Sequence, residues 1–567
     1  MSGEAPNTPL KGFSFGGKTL LSGIDPAGRA ERIADAVPLL ERTLYLCPSP
    51  LYGYGLERLL ARLAPHSALL CIEADAELFA LSREHFSAAL KTNQQLRLTN
   101  VTDAAALCAL TRQTWGPRAF RRVEMVRLSG GWQLFPELYE SLADALRREI
   151  ALDWGNALTL TKLGRRYIRN AMRNLALIPC CPSLEKLSFG DAPVLVLGAG
   201  PSLDKLLKGL LLRYGEGIKA PHTRPFRIVC VDTCLPSLRE WGITPDLAVI
   251  LESQHWNLRD FIGSSGWKVP AAMDISALPR SAEILRGGLF LFFTPWTELR
   301  IFGRLKALGL LPATLAPLGS VGLSAVEIAR RVSRGIIITG GIDFSFTLDA
   351  YHARSTPGHL SKLSAQSRFV SLLNAGPAFA HAAYSIAAKS GQQVRSNPAM
   401  RNYRDLFQQE FASDPRLFDI AGSGLPLGVK TILPEEAFAA LDTGFSKEAE
   451  KIEDSCAVPL AEQSACAEKL RAFIHDEAER LRLLRDMLCG SAAPSLEQLD
   501  TLIDECDYLW GHFPDYAGAG GRRPDMAELA AGSPLALSFL KRLRAEIDSF
   551  LKLWVTMSGL TQPLSAG

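Results

Sequence analysis

The chain lacks the markers that would identify it quickly. Its 11 cysteines form no CxxC pair, and Cys230 and Cys234 stand four apart with no second ligand pair near them. A zinc site is therefore not expected. The adjacent Cys180 and Cys181 read as packing residues. Their number is odd and their placement scattered, which fits a reducing compartment, the cytoplasm. The opening residues, MSGEAPNTPLKGFSF, hold no basic region followed by an apolar one, so no signal peptide is expected. Apolar runs such as residues 288–293 are far short of the ~20 residues that span a bilayer. The net charge of +3 is too mild for a nucleic-acid footprint. Neither an internal repeat nor a long low-complexity segment is present.

What remains is ordinary globular material: 567 residues, 47% hydrophobic and 21% charged. That length implies two to four domains. Residues 1–150 read as a Rossmann-like unit. A strand at 43–47 leads into a turn containing Gly53 and Gly55, a helix over 56–63, then a strand over 68–72 ending at Glu73. The third glycine of a dinucleotide fingerprint is missing. Glu73 would either hold a ribose hydroxyl or cap the next helix. Residues 151–185 read as a helical connector. Lys162, Arg165, Arg166, Arg169 and Arg173 share one face of it, and Ile168, Met172 and Leu175 another. The basic face is either a solvated or interdomain face or a patch for an acidic partner or phosphorylated donor.

Residues 186–440 alternate apolar strands with helices, which predicts an α/β domain with a doubly wound, mostly parallel sheet. Its strands are placed at 194–197, 227–231, 247–251, 289–293 and 335–339. From 441 to 567 the pattern turns helical, and this stretch is expected to be a separate helical domain. Ser495-Leu-Glu-Gln498 reads as a capping box, residues 516–524 as a glycine-rich loop, and 525–557 as a helix.

The most informative stretch follows the strand at 194–197. Gly198-Ala-Gly200-Pro201-Ser202-Leu203-Asp204 is a glycine turn running into a helix start. Glycines let a ligand approach the backbone, and free amides at a helix start suit a phosphate. A side chain at Gly200 would then fill the space of the ligand. The next strand ends at Asp232-Thr233; Asp246 lies in the turn feeding the strand that ends at Glu252, and these acids could bind sugar hydroxyls or a metal. Ser320, within the small-residue stretch 319–325, opens a further helix. The strand at 335–339 runs into Gly341, Asp343 and Ser345, then Tyr351, His352 and His359.

In this order GAGPSL, Asp-Thr, and Gly-Ile-Asp-Phe followed by Tyr351 resemble bacterial sialyltransferases that use CMP-activated nonulosonic acids. The resemblance places Gly198, Gly200, Pro201, Ser202, Leu203, Asp232, Thr233, Gly341 and Asp343 against the nucleotide. It puts Tyr351 on the donor phosphate. Ser345 stands where that family has a second tyrosine. A wider resemblance, over about 40–440, is to the motility-associated factor (Maf) flagellin glycosyltransferases with their MptE-like central domain. It rests on YGYGLE…IEADAELF, GAGPSLD, WGITPDLAVILES, LGSVGLSAVEIA and GGIDFSFTLDAYHA. Glu252 stands where an aspartate is usual. The resemblance implies transfer of a sialic-acid-like sugar, such as pseudaminic or legionaminic acid, to serine or threonine of flagellin, in support of flagellar assembly and motility. Flagellin and the CMP-sugar are the implied partners.

Such a transfer needs charge stabilisation at the departing phosphate and a base for the acceptor hydroxyl. Tyr351 suits the first. His352 suits the second, with His359 and His381 behind it. Asp246, Glu252, Ser320 and Ser345 are expected to touch sugar or substrate. No resident cofactor or metal is expected. The central domain also resembles archaeal 6-hydroxymethylpterin diphosphokinase, for which Asp232, Asp246 and Glu252 would hold magnesium with ATP. A non-catalytic flagellin-binding protein, docking through 441–567, is a third reading.

Overall fold

The computed structural model describes residues 12–116, 118–348, 350–370, 376–443, 452–489, 495–513 and 523–560. The chain divides into two compact units, with boundaries at 164/165, 509/510 and 524/525.

The first unit is built on four parallel strands, β3 (Thr43–Pro48), β4 (Ala68–Ile72), β5 (Leu96–Thr99) and β6 (Arg122–Met125), in the order β5-β4-β3-β6. They follow a short hairpin, β1 (Ser14–Phe15) and β2 (Lys18–Thr19). Alternation sorts the strand side chains onto two faces. Leu44, Leu46, Leu70 and Ile72 pack on Tyr139, Leu142 and Leu146 of the Pro136–Thr159 helix. Tyr45, Cys47, Leu69 and Cys71 pack on Ala30, Ala34, Leu56 and Leu59. This is the strand order of one half of a dinucleotide-binding sheet. Its glycine turn is filled by the protein, however. A Cβ on Gly55 would stand 2.8 Å from the Ala30 carbonyl oxygen, and one on Gly53 3.2 Å from Phe86 and Leu90. Glu73 does not cap the next helix, because Asp75 accepts from the Glu77 and Leu78 amides instead. Glu73 is buried, accepts from Ser49 Oγ at 3.0 Å, and is pushed by burial up to about 7.

Between the Pro136–Thr159 helix and the Arg165–Asn174 helix the chain makes a π-turn, Leu160–Gly164. Ile168, Met172 and Leu175 are buried.

The second unit holds a nine-stranded parallel sheet: β7 (Val194–Leu197), β8 (Arg227–Val231), β9 (Leu247–Ile250), β10 (Ala271–Asp274), β11 (Leu289–Phe293), β12 (Ala313–Thr314), β13 (Ile337–Gly340), β16 (Leu417–Ile420) and β17 (Lys430–Ile432). A side hairpin joins β14 (Tyr384–Ala387) to β15 (Gln393–Ser396). Runs such as VLVL and RIVCV are buried along their whole length, as strands covered on both faces must be. The order is β12-β11-β10-β9-β8-β7-β13-β16-β17. The chain therefore builds outward from β7 and then returns to lay β13 on its other side. The switch point lies between β7 and β13, where the carboxyl ends of the strands leave a crevice. β10, β12, β16 and β17 escape the sequence reading. Two are only two or three residues long, and AAMD in β10 lacks the β-branched residues that mark a strand.

The C-terminal stretch does not follow the boundary drawn at 441. Its helices, Leu460–Cys489 and Pro534–Leu560, belong to the same compact unit as the sheet. The helical stripe is as read: Leu470, Phe473, Ile474, Ala478, Leu481 and Leu484 are buried, and Phe473 meets the Trp554 ring. One polar residue interrupts it. Glu477, with a side chain 1% exposed, accepts Arg304 Nε at 2.7 Å and Nη2 at 3.0 Å, and Arg480 Nη1 at 2.8 Å. Arg304 lies on the Arg300–Ala307 helix that follows β11, so this contact joins the C-terminal helices to the sheet domain. Ser495 opens the Leu496–Glu505 helix without a side-chain cap, against the capping box expected there. The helix expected from 525 is broken at Gly532, whose φ of 61° ends the Met526–Ala531 helix before Pro534–Leu560 begins. The expected 516–524 loop lies mostly outside the described residues. Among the described residues no helix is long and apolar enough to cross a membrane.

Removing one partner of a buried ion pair strands the other. Glu477→Gln should therefore lower the free energy of unfolding by about 3 kcal/mol, the low end for such pairs, because both arginines keep about a quarter of their surface. Urea unfolding of the variant checks this. A helical domain independent of the sheet would show no such loss in the sheet's own unfolding.

Candidate functional site

At the switch point two loops close on each other. Asp343, after β13, accepts the Ser202 amide on Oδ2 at 2.7 Å and the Ser202 hydroxyl on Oδ1 at 2.6 Å. The Gly198 amide donates to Gly340 O at 2.9 Å, the Gly200 amide to Gly341 O at 2.8 Å, and the Leu203 amide to Gly200 O at 3.1 Å. Pro201 has no amide hydrogen. The helix start at 200–203 therefore offers a phosphate no free donor, which corrects the donor role expected of these amides. The glycines serve the close approach of the loops. A Cβ on Gly198 would stand 2.6 Å from Gly341 O, and one on Gly200 2.5 Å from Asp343 Oδ2. Gly341 itself has φ 74° and faces Gly198 O. A side chain at Gly200 would collide with the protein before it met any ligand.

The strand-end acids separate into two kinds. Asp246 is closed off: it accepts from Arg224, from Arg227 Nη1 at 2.9 Å and from the Ile228 amide at 2.7 Å, with its side chain fully buried. It is available to neither sugar nor metal. The trio Asp232, Asp246 and Glu252 thus does not fit a magnesium site. Asp232 instead pairs with an acid that sequence reading missed. Asn257 Nδ2 donates to Asp232 Oδ2 at 2.7 Å and to Asp260 Oδ2 at 3.2 Å, and the Thr233 amide caps Asp232 Oδ1. Burial, with the charge of Glu252 behind it, raises Asp232 to about 6, and burial with the charge of Asp232 raises Asp260 to about 8. Asn257 and Asp260 sit in the 3₁₀ turn His255–Phe261, which has no periodic pattern to advertise it.

Glu252 is exposed, holds the Gln254 amide at 2.8 Å, and lies within electrostatic reach of two tyrosines. Burial first and Glu252 next raise Tyr167 to about 12, and the same causes raise Tyr403. Tyr403 spans the crevice. Its ring centroid is 6.3 Å from that of Phe344, and it lies beside Gly319, next to Ser320. Ser320 begins the Val321–Val332 helix but makes no capping bond with its hydroxyl. Phe344 takes a left-handed φ of 46°, a strain that a non-glycine residue bears only where its surroundings impose it.

Tyr351 and His352 point into one space, their ring centroids 4.8 Å apart and edge-on at 89°. His352 Nδ1 lies 3.3 Å from the Ala199 carbonyl oxygen. A carbonyl only accepts, so Nδ1 carries the proton and Nε2 keeps its lone pair. Burial holds this ring below its ordinary pKa. Burial also raises Tyr351, whose hydroxyl shares the Asn397 side chain. Ser345 is buried and donates to Ser423 O at 3.0 Å, so it takes no part. His359 Nδ1 accepts the Ser355 amide at 3.1 Å, and His381 is exposed. The structure thus gathers Glu252, Tyr403, Ser320, Phe344, Tyr351 and His352 along the carboxyl ends of β9 to β13. It sets Asp246, Ser345 and the glycine-turn amides apart.

The Arg165–Asn174 helix, the sheet from β7 to β13 and the Asp343 loop all lie within residues 165–349, which match the family model described as 6-hydroxymethylpterin diphosphokinase MptE-like. The match is a similarity over that stretch. The chain is also 29% identical over 542 residues to an uncharacterized protein of Treponema pallidum (strain Nichols), covering 92% of this chain and 90% of that one. The solved structure of the MAf glycosyltransferase from Magnetospirillum magneticum AMB-1 superposes with a TM-score of 0.49 at 14% identity, over 98% of this chain and 91% of that one.

The Asp232–Asp260 pair gives the sheet domain a pH signature. Acids whose pKa is raised in the fold contribute stability that is full below their ordinary value of 3.8 and is lost as pH climbs from there to about 6 for Asp232 and about 8 for Asp260. Asp260→Asn cannot ionise. It should come near the natural protein in melting temperature at about pH 4 and exceed it by a growing margin up to about pH 9. Parallel melting curves across pH would refute the raised Asp260 carboxyl.

Proposed function

We propose that the chain is a glycosyltransferase that moves a nonulosonic acid from its CMP-activated form to serine or threonine of flagellin. The carrying observation is His352, neutral, anchored through Nδ1 on Ala199 O and standing edge-on to Tyr351 at the switch point. The sequence resemblance described above supplies the donor and the acceptor. In this reading His352 Nε2 takes the proton of the acceptor hydroxyl as its oxygen forms the new bond to the anomeric carbon. The bond from that carbon to the CMP phosphate breaks, and the Tyr351 hydroxyl steadies the charge left on the phosphate. Glu252, Tyr403 and Ser320 line the approach and offer acceptors and an aromatic face to sugar hydroxyls. Asp343 acts through Ser202, by fixing the loop whose Ala199 carbonyl orients His352.

The similarity of residues 165–349 to 6-hydroxymethylpterin diphosphokinase favours a second reading, a diphosphokinase using ATP with magnesium. The closure of Asp246 by Arg224 and Arg227 weighs against it. A third, flagellin binding without catalysis, leaves the His352 geometry without a use. Thermal stability separates the three, because a ligand at 100 times its Kd stabilises by about 2.7 kcal/mol. CMP alone should stabilise. Stabilisation by ATP with magnesium, and none by CMP, would replace this proposal with the kinase.

Single-turnover transfer to purified flagellin tests the roles. His352→Ala should slow transfer by about 100- to 10,000-fold. Tyr351→Phe should slow it by about 100- to 1,000-fold. CMP binding and melting temperature should stay near those of the natural protein. Normal transfer by His352→Ala would move the base elsewhere, and normal transfer by both variants would end the assignment.

A further inference from the structure

The amides at 200–203 are spent inside the protein, so a phosphate bound by this unit needs other donors. Cations outside any ion pair among the described residues are found at a second place. A cavity of about 640 Å³ lies between the Arg165–Asn174 helix, the Pro279–Glu283 turn and the Pro534–Leu560 helix. That volume falls within the roughly 300–1,000 Å³ of small-molecule sites.

Three cationic side chains line it, Arg169, Arg173 and Lys552, with two acids, Glu283 and Asp548. Glu283 is turned to Arg280, with which it pairs. On the basic helix face, Arg165 is neutralised by Glu546 at 2.9 Å. Arg169 is not: its Nη1 donates to the neutral Ser549 hydroxyl at 2.6 Å, and its guanidinium lies over the Phe550 ring at 5.8 Å. Arg169, Arg173 and Lys552 make no ion pair among the described residues. Burial, and the charges of Arg165 and Arg173, weaken the hold of Arg169 on its proton, which marks a local excess of positive charge. A half-buried guanidinium in that setting is best satisfied by an anion with several acceptor oxygens. Beside the cations, Leu177, Leu553 and Met557 give the cavity an apolar wall.

We propose that this cavity binds a phosphate-bearing small molecule, with the phosphate held by Arg169, Arg173 and Lys552 and its less polar part on the Leu177, Leu553 and Met557 wall. The site is separate from the His352 crevice and stands whether or not His352 is the base. It is also linked to the strand ends. Asn174 Nδ2, which reaches back from the same helix, donates to Ile275 O at 2.8 Å and Ala277 O at 2.9 Å. Asn170 Nδ2 donates to Ser253 O at 3.0 Å and Ser276 O at 3.1 Å. A ligand on Arg169 and Arg173 therefore bears on the helix that holds the loops after β9 and β10, including the residue next to Glu252.

Titration calorimetry of the full chain with inorganic phosphate and with CMP tests the site. The variants are Arg173→Glu, Lys552→Glu and the double change, at exposed positions without ion pairs, with melting temperature as the check on folding. Saturable phosphate binding is expected, weakened roughly tenfold or more by each reversal, as for loss of a charge-assisted hydrogen bond. CMP binding more tightly than phosphate, and weakened by the same variants, would identify a nucleotide. Equal affinities would identify a free anion, and either result supports the site. His352→Ala should leave this binding intact. The absence of saturable phosphate binding, or unchanged binding in the folded double variant, overturns the proposal. CMP and phosphate binding both kept in the folded double variant would overturn it, while leaving the transferase reading standing.

Discussion

Asp343 crosses the switch point of the nine-stranded sheet and takes both the amide and the hydroxyl of Ser202. The central crevice depends on this contact. It supplies the negative charge that the start of the Leu203–Tyr214 helix calls for, so the helix dipole is satisfied from within. It demands glycine at 198 and 200, where a Cβ would strike the opposite loop, and it crowds Gly424, whose Cβ would stand 2.8 Å from Asp343 Oδ1. It also fixes the Ala199 carbonyl, on which the tautomer of His352 depends. A turn that looks built for a phosphate is built to hold two loops of one sheet together.

The sheet was legible because buried parallel strands leave continuous apolar runs: VLVL, RIVCV and LFLFF need no partner to be recognised. The proximity of Tyr351 and His352 to the switch point followed from the same pattern. What could not be read is pairing across long separations. Asp343 lies 141 residues from Ser202, and nothing in GAGPSL says that a carboxylate will fill its amides. Asp246 reads as a candidate ligand acid until Arg224, 22 residues earlier, is found buried against it. Asp260 and Tyr403 lie on elements whose sequence pattern carries no mark of a site, and only the fold brings them to the strand ends. At the C-terminus the helical stripe was plain. The single buried acid inside it, Glu477, carried the information that these helices are not independent.

The two parallel sheets show how one architecture can keep or close a crevice. In the first unit Phe86, Leu90 and Ala30 occupy the space that Gly53 and Gly55 would otherwise open, and Glu73 turns inward to Ser49. In the second, the glycine turn is likewise filled. A wider edge from Glu252 to His352 stays lined with hydroxyls and rings, and a strained Phe344 sits in its midst. Half-buried tyrosines, a neutral histidine and an exposed acid suit the handling of hydroxyl groups better than the clamping of a metal-bound triphosphate.

The central claim is that Asp343 permanently holds the helix start, so that a nucleotide must bind without those amides. A crystal structure of the full chain with CMP tests it most directly. The account predicts Asp343 still on Ser202, with Oδ2 to amide and Oδ1 to hydroxyl contacts intact, and the phosphate elsewhere. A CMP phosphate bonded to the Ser202 amide, with Asp343 displaced, would contradict it.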